Sequence, residues 1–255
     1  MIDTALLLQE AAVLGLPLTP ADADRLDRLA DMLVTANACV NLTRITDPAD
    51  ILYKHLLDSL TVLPLLPPAS TCAGACTLLD VGAGAGFPGL PLAIVRPDIQ
   101  LTALDSVYKK LRFIQSVFDE LHIPGRIVHA RAEDTGRDPA LRERFDAVTA
   151  RAVAALPVLA EYCLPFVKVG GRFIAMKGDE DEAAALPAIE KLGGRLVSAQ
   201  TAVPVEHRSA ASAALAGHRL LVIEKSAPTP PEYPRAGKEI VRRPLPRRPL
   251  EEKKD

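Results

Sequence analysis

The 255-residue sequence has no tryptophan and is only 4% aromatic, although 49% of it is hydrophobic. Its core must therefore be aliphatic and alanine-rich, at a length that buries most of the surface an unfolded chain exposes. Cysteine is scarce as well. Cys39, Cys72, Cys76 and Cys163 are too few for a disulfide framework at this size. Cys72 and Cys76 have CxxxC spacing, but neither a second pair nor a histidine cluster completes a zinc motif, so no metal is expected. There is no run of about 18 apolar residues to span a membrane. The N-terminus lacks the basic-then-apolar pattern of a secretory leader. These absences lead us to expect a soluble cytoplasmic protein with no membrane partner. No internal repeat is visible.

What is present centres on residues 77–93. An apolar run ending at Asp80 and Val81 reads as a buried parallel strand. Gly82, Gly84 and Gly86 follow at alternate positions, then an apolar helix with Pro88 and Pro91 in its first turns. Glycines at such a junction let the backbone turn sharply and lie against a ligand. Residues 84–89 satisfy the dinucleotide pattern GxGxxG, a weak signal alone. Residues 80–86, Asp-Val-Gly-Ala-Gly-Ala-Gly, fit equally the acid-x-Gly-x-Gly-x-Gly loop of S-adenosylmethionine-dependent methyltransferases. An acid before the loop disfavours a pyrophosphate at the helix start and favours a ligand carrying an ammonium and a sulfonium. Asp80 thus tips the reading toward a methyl donor.

The rest of the chain falls into three parts. Residues 1–68 form a helical N-terminal region, with a cap-plus-proline helix start at Thr19 and Pro20 and another at Asp47 and Pro48. Residues 69–225 alternate strands, at about 77–81, 100–104, 126–130, 145–149 and 171–176, with helices, the last over 179–192. That alternation predicts a doubly wound, Rossmann-like α/β sheet. The runs 195–203 and 219–225, with no helical pattern between them, are expected to pair antiparallel at the sheet edge. Residues 226–255 are proline-rich and basic, and read as extended or disordered alone. Net charge is only −2, yet between Arg235 and Arg248 six basic residues, Arg235, Lys238, Arg242, Arg243, Arg247 and Arg248, face one acid, Glu239. A basic tail on an acidic body fits a polyanionic partner or a solubilising role.

Candidate site residues follow from the strand ends. Asp105 closes the second strand about 20 residues beyond the loop, where an acid accepts hydrogen bonds from ribose hydroxyls; capping the next helix is the alternative. Lys109, Lys110 and Arg112 crowd a helix start, where cations are mildly unfavourable, either for phosphate contact or on a solvated face. Ala132 and Glu133 lie after the third strand, on the adenine side. Arg151 follows the fourth strand, whose C-terminal end should face the crevice, and is expected to have a site role. The Asn/Asp-Pro-Pro-aromatic stretch of amine methyltransferases is missing, and Cys163 has no neighbouring base to make it a nucleophile. An acceptor with a ready lone pair, such as guanine N7, then needs only orientation against the methyl sulfonium.

At this point the sequence closely resembles the RsmG (GidB) family, methyltransferases of small-subunit ribosomal RNA. The resemblance rests on Asn-Leu-Thr at 41–43, His-Leu-Leu-Asp-Ser at 55–59, the whole loop from 80 to 92 and Leu-Asp-Ser at 104–106. It continues through Lys109, Lys110 and Phe113, then Arg-Ala-Glu at 131–133, Ala-Arg-Ala-Val at 150–153 and Met-Lys-Gly at 176–178, covering roughly residues 40–225. It implies a bacterial, cytoplasmic class I methyltransferase that moves a methyl group from S-adenosylmethionine to N7 of a guanosine in the 530 loop of 16S rRNA. The partner it implies is 16S rRNA or the 30S subunit; a monomer is expected. By motif, Gly82, Phe87, Ala132, Glu133 and Arg151 form the donor-binding set, to which the loop and strand-end arguments add Asp80, Gly84, Gly86 and Asp105. Arg151 and Lys177 are the residues expected to orient RNA or donor during transfer. His55, Asp58 and Ser59 share a helix end, at the site entrance or on a plain surface. Tyr233, Pro234, Arg235 and Gly237 resemble the family's closing element, but the run after them is richer in arginine. Two other readings stay open: a dinucleotide-dependent oxidoreductase and a non-catalytic nucleotide-binding regulator.

Overall fold

The computed structural model describes residues 2–72, 74–151, 153–178, 182–203 and 209–245. Ala152, the first residues of the helix expected over 179–192, and Arg247 and Arg248 of the basic run lie outside the described residues. The centre is a seven-stranded sheet in the order β3-β2-β1-β4-β5-β7-β6. Its strands are β1 (Cys76–Val81), β2 (Ile99–Asp105), β3 (Gly125–His129), β4 (Phe145–Arg151), β5 (Val167–Lys177), β6 (Gly194–Thr201) and β7 (Arg219–Lys225). Strands β1 to β5 pair in parallel, and β7 runs antiparallel to both β5 and β6. Leu78, Leu79, Val81, Ala147, Val148 and Ala150 are all buried, as strands covered on both faces require. The chain leaves β1 toward β2 and β3, then returns to β4 on the other side. Between β1 and β4 is therefore the switch point where open α/β sheets leave a crevice.

Helices α1 (Thr4–Val13) and α2 (Pro20–Asn37) open the chain. α2 starts at a capping box between Thr19 and Asp22, and it buries Leu26, Leu29, Ala30 and Leu33. The short α3 (Pro48–Asp50) and α4 (Asp58–Leu60) flank a π-helical turn, Ile51–Leu57. Next come α5 (Gly89–Val95), α6 (Tyr108–Leu121), α7 (Ala132–Thr135), α8 (Leu156–Cys163), α9 (Leu186–Lys191), α10 (Ala210–Ala214) and α11 (Gly237–Arg242). One apolar cluster joins the N-terminal helices to the α5–α6 face through Leu26, Leu33, Leu56, Leu90 and Ile114. Arg25 reinforces this contact by donating to the last-turn carbonyls of Ile94 (3.1 Å) and Leu121 (2.9 Å). The opposite face carries a second cluster, including Leu159, Phe166, Phe173 and Ile189. Among the described residues no helix is long and apolar enough to cross a membrane.

Two expectations are corrected. The connection between β6 and β7 contains the helix α10, a turn of alanines too short to show periodicity. The segment after Lys225 is not a loose tail as far as Leu245: Thr229, Tyr233, Ile240 and Leu245 are buried. Its proline-rich backbone is held by side chains of the body rather than by regular structure. Arg142 donates to the carbonyls of Thr229 (2.6 Å), Pro230 (3.2 Å) and Tyr233 (2.8 Å), and Arg137 to those of Glu232 (2.6 Å) and Pro234 (2.9 Å). Arg235 forms a two-pronged pair with the fully buried Glu161 at 2.9 and 2.6 Å. This arginine is a structural anchor and is not available to a polyanion.

Candidate active site

At the C-terminal ends of β1, β2 and β4 lies a cavity of about 460 Å³, floored by residues 82–85 and walled by Phe87, Asp105, Ala132, Glu133 and Arg151. The glycine loop is shaped by left-handed backbone. Gly82 has φ +69°, and a Cβ there would fall 2.8 Å from Val153 Cγ2. Gly86 has φ +91°, and a Cβ there would overlap Leu90 Cδ1. Backbone N–H groups of Gly82 and Ala83 donate to Leu104 O (2.8 and 3.1 Å), and Gly84 N–H donates to Asp105 Oδ2 (2.9 Å). Asp105 Oδ1 also accepts from Val107 N–H (2.8 Å), at the start of α6. The acid at the end of β2 therefore lines the cavity and ties the glycine loop to the turn before α6; it does not cap that helix, whose N-cap, Val107, has no side-chain cap bond.

Asp80 departs from expectation, for it does not line the cavity. It is buried beneath the loop, accepting from Gly89 N–H through Oδ2 (3.0 Å) and from the Thr149 hydroxyl through Oδ1 (3.1 Å). Burial pushes its carboxyl up to about 7, against the pull of these two bonds and of Arg151. It braces the start of α5 and the strand β4. Gly86 also lies outside the lining, facing Leu90 and Ile114. The remaining expected donor residues, Gly82, Gly84, Phe87, Asp105, Ala132, Glu133 and Arg151, gather around one space.

From Arg151 a polar chain runs through residues far apart in sequence. Its guanidinium donates to Lys54 O (2.9 Å), to Asp58 Oδ2 (3.0 Å) and to His55 Nδ1 (3.2 Å). His55 Nε2 then donates to Thr43 Oγ1 (2.9 Å), because Nδ1 is already an acceptor. The imidazole stacks on Phe87, with centroids 4.5 Å apart and planes 10° from parallel, and Arg151 Cζ stands 5.5 Å from the same ring. Burial and the neighbouring guanidinium lower the His55 pKa to about 4, so the ring is neutral. Asp58, almost fully buried, accepts at its other oxygen from His218 Nδ1 (2.9 Å). That bond raises the His218 pKa. The π-helical turn brings His55 and Asp58 to this junction; such turns recur at functional sites.

Beyond Arg151 and His55 a second cavity of about 450 Å³ opens, lined also by Lys54, Asp58, Met176, Lys177, His218 and Leu220. Lys177 belongs here and not to the first cavity; its ammonium donates to Ala154 O (2.5 Å). Sequence reasoning missed His218 altogether and left His55 and Asp58 undecided. A signal for His218 existed: antiparallel pairing of β5 and β7 sets Lys177 opposite Arg219, which returns residue 218 to the crevice edge. Cys163 is fully buried, and burial raises its thiol well above the usual range, as a core cysteine requires. Cys72, Cys76 and Asp146 meet at the far edge of β1, with ligand atoms within 4.8 Å of one another, a grouping that spacing did not reveal. There the carboxylate is engaged by Thr77 and Lys168, and burial pushes the Cys76 thiol up to about 12.

Strand order, glycine loop and crevice acid define the Rossmann-like methyltransferase fold. In that fold a geranyl diphosphate methyltransferase solved with sinefungin superposes with TM-score 0.54 at 14% identity, over 78% of this chain and 93% of its own. A methyltransferase solved with the Haloferax volcanii Trm112 activator gives 0.52 at 13% identity, over 76% and 98%. The family model described as rRNA small subunit methyltransferase G (GidB) matches residues 22–203. A protein of that name from Lactobacillus delbrueckii subsp. bulgaricus is 44% identical over 89% of this chain and 93% of its own length. One from Acetivibrio thermocellus is 40% identical over 94% and 96%. The chain belongs to the rRNA small subunit methyltransferase G family.

Proposed function

We propose that the protein transfers a methyl group from S-adenosylmethionine to N7 of a guanosine in the 530 loop of 16S rRNA, acting in the cytoplasm as a monomer on the RNA or the 30S subunit. Family membership supports the substrate class, and the first cavity suits the donor. A Cβ on Gly84 would meet only Gly82 O at 3.8 Å, so a side chain there would stand in open space above the loop. Gly82, Gly84, Phe87, Asp105, Ala132, Glu133 and Arg151 are the residues to hold the donor. When bound, the donor supplies an electrophilic methyl carbon whose bond to sulfur breaks as the new bond to nitrogen forms.

The observation that carries the choice of acceptor is the state of the junction's own acids and bases. His55 is neutral, but both its nitrogens are engaged; Asp58 and Asp105 each accept two hydrogen bonds. The bond to Asp58 favours the protonated, donating form of His218, so none of these groups is set to take a proton, whereas amine or hydroxyl acceptors must lose one. Guanine N7 has its lone pair ready and loses none. The protein's work is then orientation: Phe87 held by its histidine stack, Arg151 fixed by three partners, and Lys177 set at the second cavity. Incubating the protein with tritiated S-adenosylmethionine and either deproteinised 16S rRNA or 30S particles should label the RNA. N7-specific strand scission should then cut within the 530 loop. No incorporation into either substrate, or label that does not map to a scissile guanosine, would sink the proposal.

A further inference from the structure

The second cavity shares Arg151 and His55 with the first, so the two adjoin across these side chains. Its walls divide by chemistry. Ile45, Met176, Ala214 and Leu220 offer apolar surface, of the kind that covers the faces of a base lifted out of its stack. Lys54, Lys177, Arg151 and His218 offer hydrogen-bond donors, while the carboxylate among them, Asp58, is already shared between Arg151 and His218. The Hoogsteen edge of guanine presents two acceptors, N7 and O6; adenine presents N7 beside an N6 amine that donates. A wall of donors therefore accepts guanine and meets adenine donor against donor.

We propose that this second cavity is the base-receiving site, and that His218, clamped through Nδ1 by the buried Asp58, reads guanine O6. The inference rests on the function proposed above and assigns a site and a specificity residue to its acceptor. The clamp fixes the ring so that Nε2 is its remaining polar atom, and the aspartate beside it favours the protonated imidazole, in which Nε2 donates. Fixing the donor before the base arrives spares the ordering that a free side chain would require. His218 stands immediately before β7, opposite the end of β5, so the antiparallel strand places a reader of the base where a parallel sheet would end in a loop.

Two measurements test the site separately from the reaction. In kinetics on 16S rRNA, H218A should lower kcat/KM about tenfold, the worth of one charge-assisted hydrogen bond. H218Q, which keeps a donor, should recover part of the loss, and the dissociation constant for S-adenosylmethionine should stay within about twofold of wild type in both. Equal loss of donor affinity, or unchanged RNA kinetics, would overturn the assignment. In the second measurement the wild-type protein, with 13C-labelled histidines, is titrated with guanosine 5′-monophosphate and with adenosine 5′-monophosphate. The His218 imidazole resonance, assigned by its absence in H218A, should move with the guanine nucleotide and much less with the adenine one, while His122 stays still. A resonance that ignores both nucleotides, or responds to both alike, overturns the base assignment. If wild type labels no rRNA yet His218 still answers to the guanine nucleotide, the functional proposal falls and the pocket assignment stands.

Discussion

His55 and Asp80 are both buried, and their protonation is displaced in ways that oppose each other over one pH range. The folded state holds His55 neutral down to about 4, against an ordinary value of 6.5. Between these values the unfolded chain binds the extra proton, so His55 makes stability rise with pH. Asp80 is raised from 3.8 to about 7, so the folded state keeps a proton that the unfolded chain has lost, and its contribution falls as pH climbs through that window. The two slopes partly cancel in the wild type. H55Q should tilt the stability profile between pH 4.5 and 6.5 downward with rising pH, and D80N should tilt it upward. Urea titrations at three pH values measure both; identical slopes in the three proteins would refute the balance. Position in the sequence located Asp80 and Asp105 correctly at strand ends, but not their direction. Which way a strand-end carboxylate turns depends on neighbours 9 to 69 residues away, such as Gly89 and Thr149.

At the scale of elements, the parallel strands and their helices were legible because a doubly covered strand leaves an unbroken apolar run and an amphipathic helix leaves a period. The π-helical turn was not, since its apolar residues fall within the tolerance of an ordinary helical pattern. Nor was the docking of residues 226–245, whose carbonyls are satisfied by arginines far away in the chain, a relation with no local periodicity. That docking reaches the first cavity: a Cβ at Gly237, the first residue of α11, would overlap Glu133 Oε1, and Glu133 lines the cavity. G237A should therefore weaken S-adenosylmethionine binding about fivefold, the size of one disturbed hydrogen bond. Thermal stability should hardly change, because the backbone there needs no left-handed conformation. Calorimetric titration decides it, and unaltered affinity would separate α11 from the donor site.

For the whole molecule, two apolar clusters clasp opposite faces of one sheet, and the N-terminal helices share theirs with α5 and α6. A boundary near residue 68 is visible in composition, yet the cluster is continuous across it. The C-terminal segment is tied to the second face by Lys225, fully buried. Its ammonium donates to Leu164 O (2.6 Å), Val167 O (3.3 Å) and Thr229 Oγ1 (2.6 Å), with Glu143 at 3.2 Å. Burial lowers its pKa to about 8, and Glu143 opposes that shift. K225M should cost about 3 kcal/mol of stability by stranding these partners. It should also open residues 226–245 to limited proteolysis under native conditions. A lower urea midpoint with an unchanged digestion pattern would show that the segment is held by other means.

Because Arg151 is a wall of both cavities, ligands in the two would share one side chain. A ligand that draws the guanidinium toward one side alters its bonds to Asp58 and His55, and through them the opposite wall. The resulting change in affinity must be equal in both directions, whichever ligand enters first. On the proposed reaction, methyl transfer would also move one unit of positive charge from the first cavity to the second, past a cation that cannot give up its proton. The spent donor would leave a neutral sulfur behind, and the methylated base would meet Arg151 as a like charge. Substrates and products would then differ in which side of one arginine they repel, which would favour departure of the modified nucleotide.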